Sequence, residues 1–327
     1  MNTSPSSPLP SSPTFEHPGP YQPQLRIDGA QRVPAGERAL VLGGGGSTGN
    51  AWLIGIVAGL FGAGLDVTAA DLTVGTSAGS TAAAQFTGAN PADLFDAVLA
   101  AAPPRPSGVV DTVGANNRAR PVTDHMERTG KILASSADMA DMRRRMGAAA
   151  IDMAAAMDGS SARWRATVAA RLPHQEWPER LILLTAVDAE TGEAVAFHRH
   201  SGVELVDAVA ASCANGFAYS IGSNHYIDGG YRTNAENADL AAGYRRVLVL
   251  SPFGGRTRTP LEWGMHLSGQ VDELRRSGSR VETIFPDSEA EHRFGINAMD
   301  LTLRPAAAHA GFDQGKALAQ QISEFWR

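Results

Sequence analysis

The sequence predicts an α/β protein built on a mostly parallel sheet, and two features indicate this fold class. Short apolar strand patterns alternate with helix patterns from Arg38 to Gly88, as expected when parallel strands are joined by helices. Glycine-rich turns follow two of these strands, at 43–46 and 75–79. Because neighbouring parallel strands bring their carboxyl ends together, we expect both turns at the same edge of the sheet.

The remaining elements follow from apolar spacing and turn residues. Helices are predicted at 91–102, 123–172, 203–212 and 306–326, and strands at 181–187, 194–198, 226–227 and 247–250. The block at 123–172 is rich in alanine and holds six methionines. Methionine at helical spacing is commonly core filler, but its flexible thioether also suits an acyl-chain tunnel, and both interpretations stay open.

Composition sets the domain organisation and the expected environment. The chain has 327 residues, of which 43% are hydrophobic, so it can bury a sizeable core. Residues 1–24 are rich in serine and proline and predict a disordered tail rather than a signal peptide. One domain is expected at 38–327, with a helical insertion at about 122–172. No targeting segment is found, so a soluble cytoplasmic protein is expected.

Charge and cysteine content narrow the classes of partner. The net charge of −6 gives no general attraction to nucleic acid. Cys213 is the single cysteine, so an intramolecular disulfide framework is excluded. We expect Cys213 to be a small core residue. No cluster of residues with metal-ligand spacing occurs in the sequence. Neither a metal nor a cofactor is expected.

The segment Gly75-Thr76-Ser77-Ala78-Gly79 has the pattern of a nucleophile elbow. It follows a short strand pattern (Leu72-Thr73-Val74) and precedes a run of small residues with helical character. In such an elbow the serine occupies a strained turn that projects its hydroxyl beyond the sheet. The residues two positions before and two positions after the serine must be small because the strand and the helix pass close to each other, and both are glycine here. Ser77 is therefore the candidate nucleophile.

The glycine run that follows the first strand has three competing interpretations. Gly44-x-Gly46-x-x-Gly49 fits a dinucleotide fingerprint, but the acidic residue at a suitable distance, Asp71, precedes the second strand instead of following it. A phosphate loop would need a lysine that is absent. A membrane span is disfavoured because polar and glycine residues fill the middle of the uncharged window. We favour backbone amides that bind a transient oxyanion near a helix start at about Gly49.

A serine nucleophile also needs a base, and two kinds of base are available. Asp228, followed by Gly229 and Gly230, ends a short strand pattern and is the preferred candidate. In isolation the same stretch would predict an Asp-Gly hairpin turn. The histidines that occur late enough for the Ser-Asp-His order of the α/β-hydrolases are His266, His292 and His309.

These three motifs, in their order and spacing, resemble the patatin-like phospholipase family. Gly44 to Gly49 is similar to its oxyanion loop, Gly75 to Gly79 to its elbow, and Asp228-Gly229-Gly230 to its D-G-[AG] motif. The resemblance implies a three-layer α/β/α sandwich and hydrolysis of lipid acyl esters by a Ser77–Asp228 dyad without metal. Two positions depart from the family pattern: Thr48 stands where a basic residue is usual, and 212–217 replaces an Ala-Ile-Pro approach loop.

The resemblance also assigns a role to each motif residue. The implied oxyanion donors are Gly44, Gly45, Gly46 and Ser47, and the supporting motif glycines are Gly49, Gly75, Gly79, Gly229 and Gly230. The expected substrate is a lipid or small ester, with transient contact to a membrane surface and none to nucleic acid. An α/β-hydrolase esterase with a histidine triad and a nucleotide-binding Rossmann protein remain the alternatives.

Overall fold

A computed structural model describes residues 35–101, 115–157 and 159–327, and the predicted tail lies outside these ranges. Its strands are β1 (Gly36–Leu42), β2 (Leu72–Gly75), β3 (Leu181–Asp188), β4 (Ala194–Phe197), β5 (Tyr219–Ile221), β6 (Asn224–Asp228), β7 (Tyr244–Leu250) and β8 (Arg280–Ile284). Its helices are α1 (Gly46–Gly62), α2 (Ala78–Gly88), α3 (Pro91–Ala100), α4 (Ala115–Ser135), α5 (Met139–Ala155), α6 (Ser160–Ala169), α7 (Leu205–Ser212), α8 (Leu267–Arg276) and α9 (Arg304–Trp326).

The eight strands found in the described residues form one mixed, mostly parallel sheet. Its order is β5-β6-β3-β2-β1-β7-β8, with β4 paired to β3 off this path. Strands β3, β2, β1, β7 and β8 run parallel, while β4 and β6 run antiparallel to β3. The chain moves outward from β1 to β3 and later continues on the other side of β1 with β7. This makes the carboxyl end of β1 the switch point where ligands bind in open α/β sheets.

Helices cover both faces of the sheet, as the sequence predicts for an α/β fold. Leu40 and Leu42 of β1 point into a cluster with helices α1, α2, α3, α7 and α9. The alternate residues Ala39 and Val41 pack on the other face with α8 and β7. This alternation follows from the two-residue period of a strand. Because both faces are covered, the strand interiors are apolar throughout.

Helix α1 is buried along most of its length. Glycines in α1 and α9 let the two helix backbones come into direct contact. A Cβ atom built on Gly55 would lie 2.1 Å from the Ala308 carbonyl oxygen, and one on Gly311 would lie 2.4 Å from the Trp52 carbonyl oxygen. Contacts at Gly59 and Gly315 repeat this pattern one turn later. The numbering rises together in the two helices, so they run parallel. Both therefore begin at the carboxyl edge of the sheet.

Several elements differ from the expectations drawn from the sequence. The block at 123–172 is three separate helices, interrupted after Ser135 and after Ala155. Strand β6 is longer than predicted, and β5, α8 and β8 lie in stretches for which no element was expected. None of the described helices is long and apolar enough to cross a membrane. The uncharged window near β1 is accordingly a strand, a loop and a buried helix.

Candidate active site

Ser77 lies in the sharp turn between β2 and α2. Its backbone has φ 53° and ψ −114°, a conformation that non-glycine residues rarely adopt. The turn is tight because Cβ atoms are absent on both sides. A Cβ on Gly75 would lie 2.7 Å from Ser80 Cα, and one on Gly79 would lie 1.9 Å from the Leu42 carbonyl oxygen. The geometry is that of a strained elbow presenting a serine.

The last residue of α7, Ser212, and the residue after it, Cys213, hold this turn in place. The Ser77 N–H donates to Ser212 Oγ at 3.0 Å, and Ser212 Oγ also bonds to Ser80 Oγ at 2.6 Å. The Cys213 thiol donates to the Ser77 carbonyl oxygen at 3.0 Å. Burial raises the pKa of Cys213 to about 12, so the thiol stays protonated as a donor. These contacts give a role to the stretch in which the sequence departs from the family pattern.

Asp228 reaches the same edge of the sheet from the antiparallel strand β6. Ala186 of β3 pairs with Asp228, two residues beyond the row in which Leu184 pairs with Gly75. Asp228 is 5% exposed, and its carboxyl accepts a hydrogen bond from the Gly230 N–H at 2.8 Å. Burial raises the pKa of Asp228 to about 6, while the hydrogen bond from the Gly230 N–H and the nearby Ser77 side chain oppose part of this rise. The two candidate catalytic side chains are therefore neighbours.

A buried polar network joins the elbow to the Asp228 turn. Asn237 Nδ2 donates to Thr76 Oγ1 at 3.0 Å and to the Gly229 carbonyl oxygen at 3.0 Å. Thr185 Oγ1 forms a hydrogen bond with Thr76 Oγ1 at 2.9 Å. A Cβ built on Gly229 would lie only 2.1 Å from Thr185 Oγ1, so this position requires glycine. Asn237 has a left-handed backbone, with φ 54°. The sequence analysis did not identify Asn237 or Thr185, which fix the spacing between nucleophile and carboxylate.

The glycine loop at 43–46 lies against the elbow. A Cβ on Gly44 would lie 3.5 Å from Ser77 Cβ. Helix α1 begins at Gly46, three residues earlier than predicted, and the Gly49 N–H donates to the Gly45 carbonyl oxygen at 2.9 Å. The N–H groups of Gly45, Gly46 and Ser47 have no partner among the described residues. They are the available donors at this helix start.

The interpretation of Gly44 as a donor is corrected by the structure. Its N–H donates to the Ala235 carbonyl oxygen at 2.8 Å and is not free for an oxyanion. Gly44 instead provides the close approach between the loop and Ser77. Gly45 and Gly46 are confined in another way, because Cβ atoms there would lie 2.6 Å from Pro252 Cβ and 2.7 Å from the Ala298 carbonyl oxygen.

Glu236 is buried beneath the glycine loop. Its Oε1 accepts a hydrogen bond from Ser251 Oγ at 2.6 Å, and its Oε2 has no partner among the described residues. A Cβ on Gly43 would lie 3.3 Å from Glu236 Cγ. Burial raises the pKa of Glu236 to about 7, so this carboxyl carries a proton in much of the neutral range. No pattern in the sequence marks this second buried acid.

The alternative site residues lie elsewhere. Within the described part of the chain, no hydrogen bond joins a histidine to Ser77 or Asp228; His309 packs edge-on against Phe95, and His266 precedes α8. Asp71 accepts hydrogen bonds from the Glu37 and Arg38 N–H groups at the opposite end of β1, so it does not occupy the ribose-binding position of a Rossmann site. The described residues contain no group of ligating side chains arranged for a metal.

The helical insertion contacts the Asp228 side of the site. The buried methionines Met139, Met142 and Met146 pack with Val187, Ala189, Ala218 and Ile227. Met126 and Met157 are exposed. The core-filler interpretation therefore fits Met139, Met142 and Met146. The tunnel interpretation applies only to the other methionines of the block.

Comparison with known proteins agrees with this architecture. The family model described as patatin-like phospholipase matches residues 40–241. No curated protein sequence matches the chain. Similar solved structures include VipD from Legionella pneumophila, with 13% identity, a TM-score of 0.37 and coverage of 89% of this chain and 68% of VipD.

Two further similar structures contain the type III effector ExoU. One is 15% identical with a TM-score of 0.32, and the match covers 87% of this chain and 54% of ExoU. The other is ExoU in complex with SpcU from Pseudomonas aeruginosa, at 17% identity and a TM-score of 0.34, covering 90% of this chain and 53% of that one. This chain thus spans about half the length of ExoU. The family match extends over more than half of the sequence, and the chain belongs to the patatin-like phospholipase family.

Proposed function

We propose that the protein is a serine acyl hydrolase that cleaves lipid acyl esters through a Ser77–Asp228 dyad. The observation that carries this proposal is the strained elbow at Ser77, with a buried carboxyl as its side-chain neighbour. Backbone strain of this kind persists only where the surrounding structure enforces it, and it concentrates at functional sites. Membership of the family supports hydrolysis of lipids as the general activity.

In the proposed reaction Asp228 takes up a proton and returns it twice, once in acylation and once in deacylation. Ser77 Oγ attacks the ester carbonyl carbon while the ionised Asp228 carboxylate takes the hydroxyl proton. The N–H groups of Gly45, Gly46 and Ser47 stabilise the oxyanion that forms on the carbonyl oxygen. Asp228 then protonates the leaving alkoxide, which departs as the alcohol and leaves an acyl-enzyme on Ser77. Asp228 next takes a proton from a water that attacks the acyl carbon, and it returns this proton to Ser77 Oγ as the bond to Ser77 breaks and the acid is released. A raised carboxyl pKa suits such a base.

Apolar side chains beside the glycine loop support transient contact with a lipid surface. Ile296 is 75% exposed, Met299 63% and Leu301 48%. They flank Ala298, whose carbonyl oxygen accepts the Thr48 N–H at 3.0 Å at the start of α1. Exposed large apolar side chains grouped in one short segment are typical of interaction surfaces. Replacing Ile296 with aspartate is expected to lower hydrolysis of vesicle-bound lipid several-fold and to leave hydrolysis of a monomeric ester unchanged.

The proposed activity is tested with purified protein and a series of p-nitrophenyl esters from C4 to C12. Labelling by a fluorophosphonate should occur in the parent and disappear in Ser77→Ala. Titration with NAD distinguishes the Rossmann alternative, for which binding is expected without labelling. Ester hydrolysis that persists unchanged in Ser77→Ala would contradict the proposal.

A further inference from the structure

Arg304, the first residue of α9, reaches back to the start of α1. Its Nη1 donates to the Ser47 carbonyl oxygen at 2.7 Å and to Ser47 Oγ at 3.1 Å, and its Nη2 donates to Asn50 Oδ1 at 3.2 Å. All three acceptors are neutral oxygens. No carboxylate among the described residues forms an ion pair with this guanidinium.

The position of the Arg304 guanidinium charge is unfavourable for the stability of the fold. A cation at a helix N-terminus opposes the helix dipole. The parallel packing of α1 and α9 brings two helix N-termini together at this point, and neither helix has an acidic residue in its first turn. Burial and the nearby positive charge of Arg171 both lower the pKa of Arg304, which means that both disfavour its charged form. A half-buried arginine in such surroundings is better explained by a role at the loop than by a contribution to stability.

We propose that Arg304 is a positioning residue of the active site, which holds the glycine loop through Ser47 and keeps that loop electropositive. The proposal rests on the serine hydrolase function given above. Gly45, Gly46 and Ser47 carry the free N–H groups, and a hydrogen bond to the Ser47 carbonyl fixes the peptide plane that follows them. The guanidinium also places a positive charge within hydrogen-bond distance of Ser47, one of the three residues whose N–H groups would bind a negative oxygen.

The experiment compares Arg304→Gln and Arg304→Lys with Arg275→Gln as the matched control. Arg275 also donates to a backbone carbonyl oxygen, that of Val281 at 2.9 Å, but it lies at the end of α8. On a neutral C4 ester, Arg304→Gln is expected to lower kcat by about 10–100-fold with KM changed less than about threefold, because the loop interactions are made in the transition state. Arg304→Lys keeps the charge and should recover at least about tenfold of this loss.

A second variant neutralises the charge without removing it. Asn50→Asp places a carboxylate beside the guanidinium, and it removes the donor that Asn50 Nδ2 provides to Gln85 Oε1 at 3.0 Å. We expect an unfolding temperature close to that of the parent, because the new ion pair offsets the lost hydrogen bond, together with a kcat lowered by about tenfold. This variant decides the question if Arg304→Gln does not fold.

Hydrogen exchange gives a readout that does not need activity. Amides of a peptide covering 43–50 should exchange faster in Arg304→Gln than in the parent and the Arg275→Gln control. Unchanged exchange with unchanged kcat would overturn the inference, as would equal losses in Arg304→Gln and Arg304→Lys. If Arg304→Gln exchanges faster than the parent but the parent shows no Ser77-dependent hydrolysis, the positioning role is retained and the proposed function is rejected.

Discussion

The two turns at the carboxyl edge of the sheet and the helical segment at 115–157 and 159–169 are held in different ways. At the turns, backbone lies directly on backbone, as where Gly79 meets the Leu42 carbonyl oxygen. The helical segment approaches other backbone at Gly147, against the Ala189 carbonyl oxygen, and at Ala150, whose carbonyl oxygen accepts the Ala218 N–H at 3.0 Å, and long side chains make many of its other contacts. Arg143 donates to the carbonyl oxygens of Gly192 and Arg232 at 2.7 and 2.9 Å, and Arg258 donates to Thr129 Oγ1 at 2.9 Å.

This difference separates a rigid site from an adaptable cover. Contacts at 1.9–2.8 Å from an added Cβ leave no room for a side chain, so the turns tolerate little change. Long arginine and methionine side chains can adopt other rotamers at modest cost. We therefore expect substitutions in the turns to affect the chemical step and substitutions in the helical segment to affect which acyl chains are accepted.

The largest effect is expected at the dyad itself. Ser77→Ala and Asp228→Asn should each lower kcat/KM by more than about 10³-fold, and the double variant should be little worse than Ser77→Ala, because members of one catalytic unit are strongly non-additive. Alanine variants of His266, His292 and His309 serve as controls and should stay within about tenfold of the parent, roughly 1.4 kcal/mol of barrier. One histidine variant as inactive as Ser77→Ala would favour the α/β-hydrolase alternative.

The next largest effect is expected in the glycine loop. Gly45→Ala forces a Cβ to within 2.6 Å of Pro252 Cβ and displaces the loop, and loss of one oxyanion donor costs about 10²–10³ in kcat. Gly62→Ala is the matched control, because Gly62 ends the same helix and an added Cβ there meets nothing within 4 Å. Steady-state kinetics on a C4 ester check the pair. Full kcat in Gly45→Ala would argue against this loop as the oxyanion site.

The pH profile is expected to show a smaller and graded effect. Asp228 accepts a proton only when it is ionised, and burial places its pKa at about 6. Thus kcat/KM should fall about tenfold per pH unit below 6 and level off above it. Ionisation of a buried acid also costs stability, so Asp228→Asn should unfold at a higher temperature than the parent at pH 8 and at a similar temperature at pH 4. A parent profile flat from pH 4 to 7 would exclude Asp228 as the base.

The same contrast explains what the sequence could and could not predict. The elbow and the glycine turn were predictable because only small residues fit where backbones meet, and this requirement is local in the chain. Family membership and the mostly parallel sheet were likewise predictable and are confirmed. Arg304, Asn237 and Ser212 were not, because their partners are distant: Arg304 lies 257 residues from Ser47, and Asn237 lies 161 from Thr76. Arginine, asparagine and serine carry no local pattern that marks such contacts.

The smallest effect is expected in the helical segment, where it distinguishes the two interpretations of its methionines. Met142 is 2% exposed in a packed cluster, so Met142→Ala should destabilise the protein by about 2–5 kcal/mol and leave the ratio of C12 to C4 ester hydrolysis unchanged. Met157 is 42% exposed, so Met157→Ala should leave stability nearly unchanged. If the segment gates long acyl chains, the Met157 variant should instead lower kcat/KM for the C12 ester about threefold while the C4 rate stays constant. Equal C12-to-C4 ratios in the parent and in the variants of both exposed methionines, Met126 and Met157, would return the segment to a purely structural role.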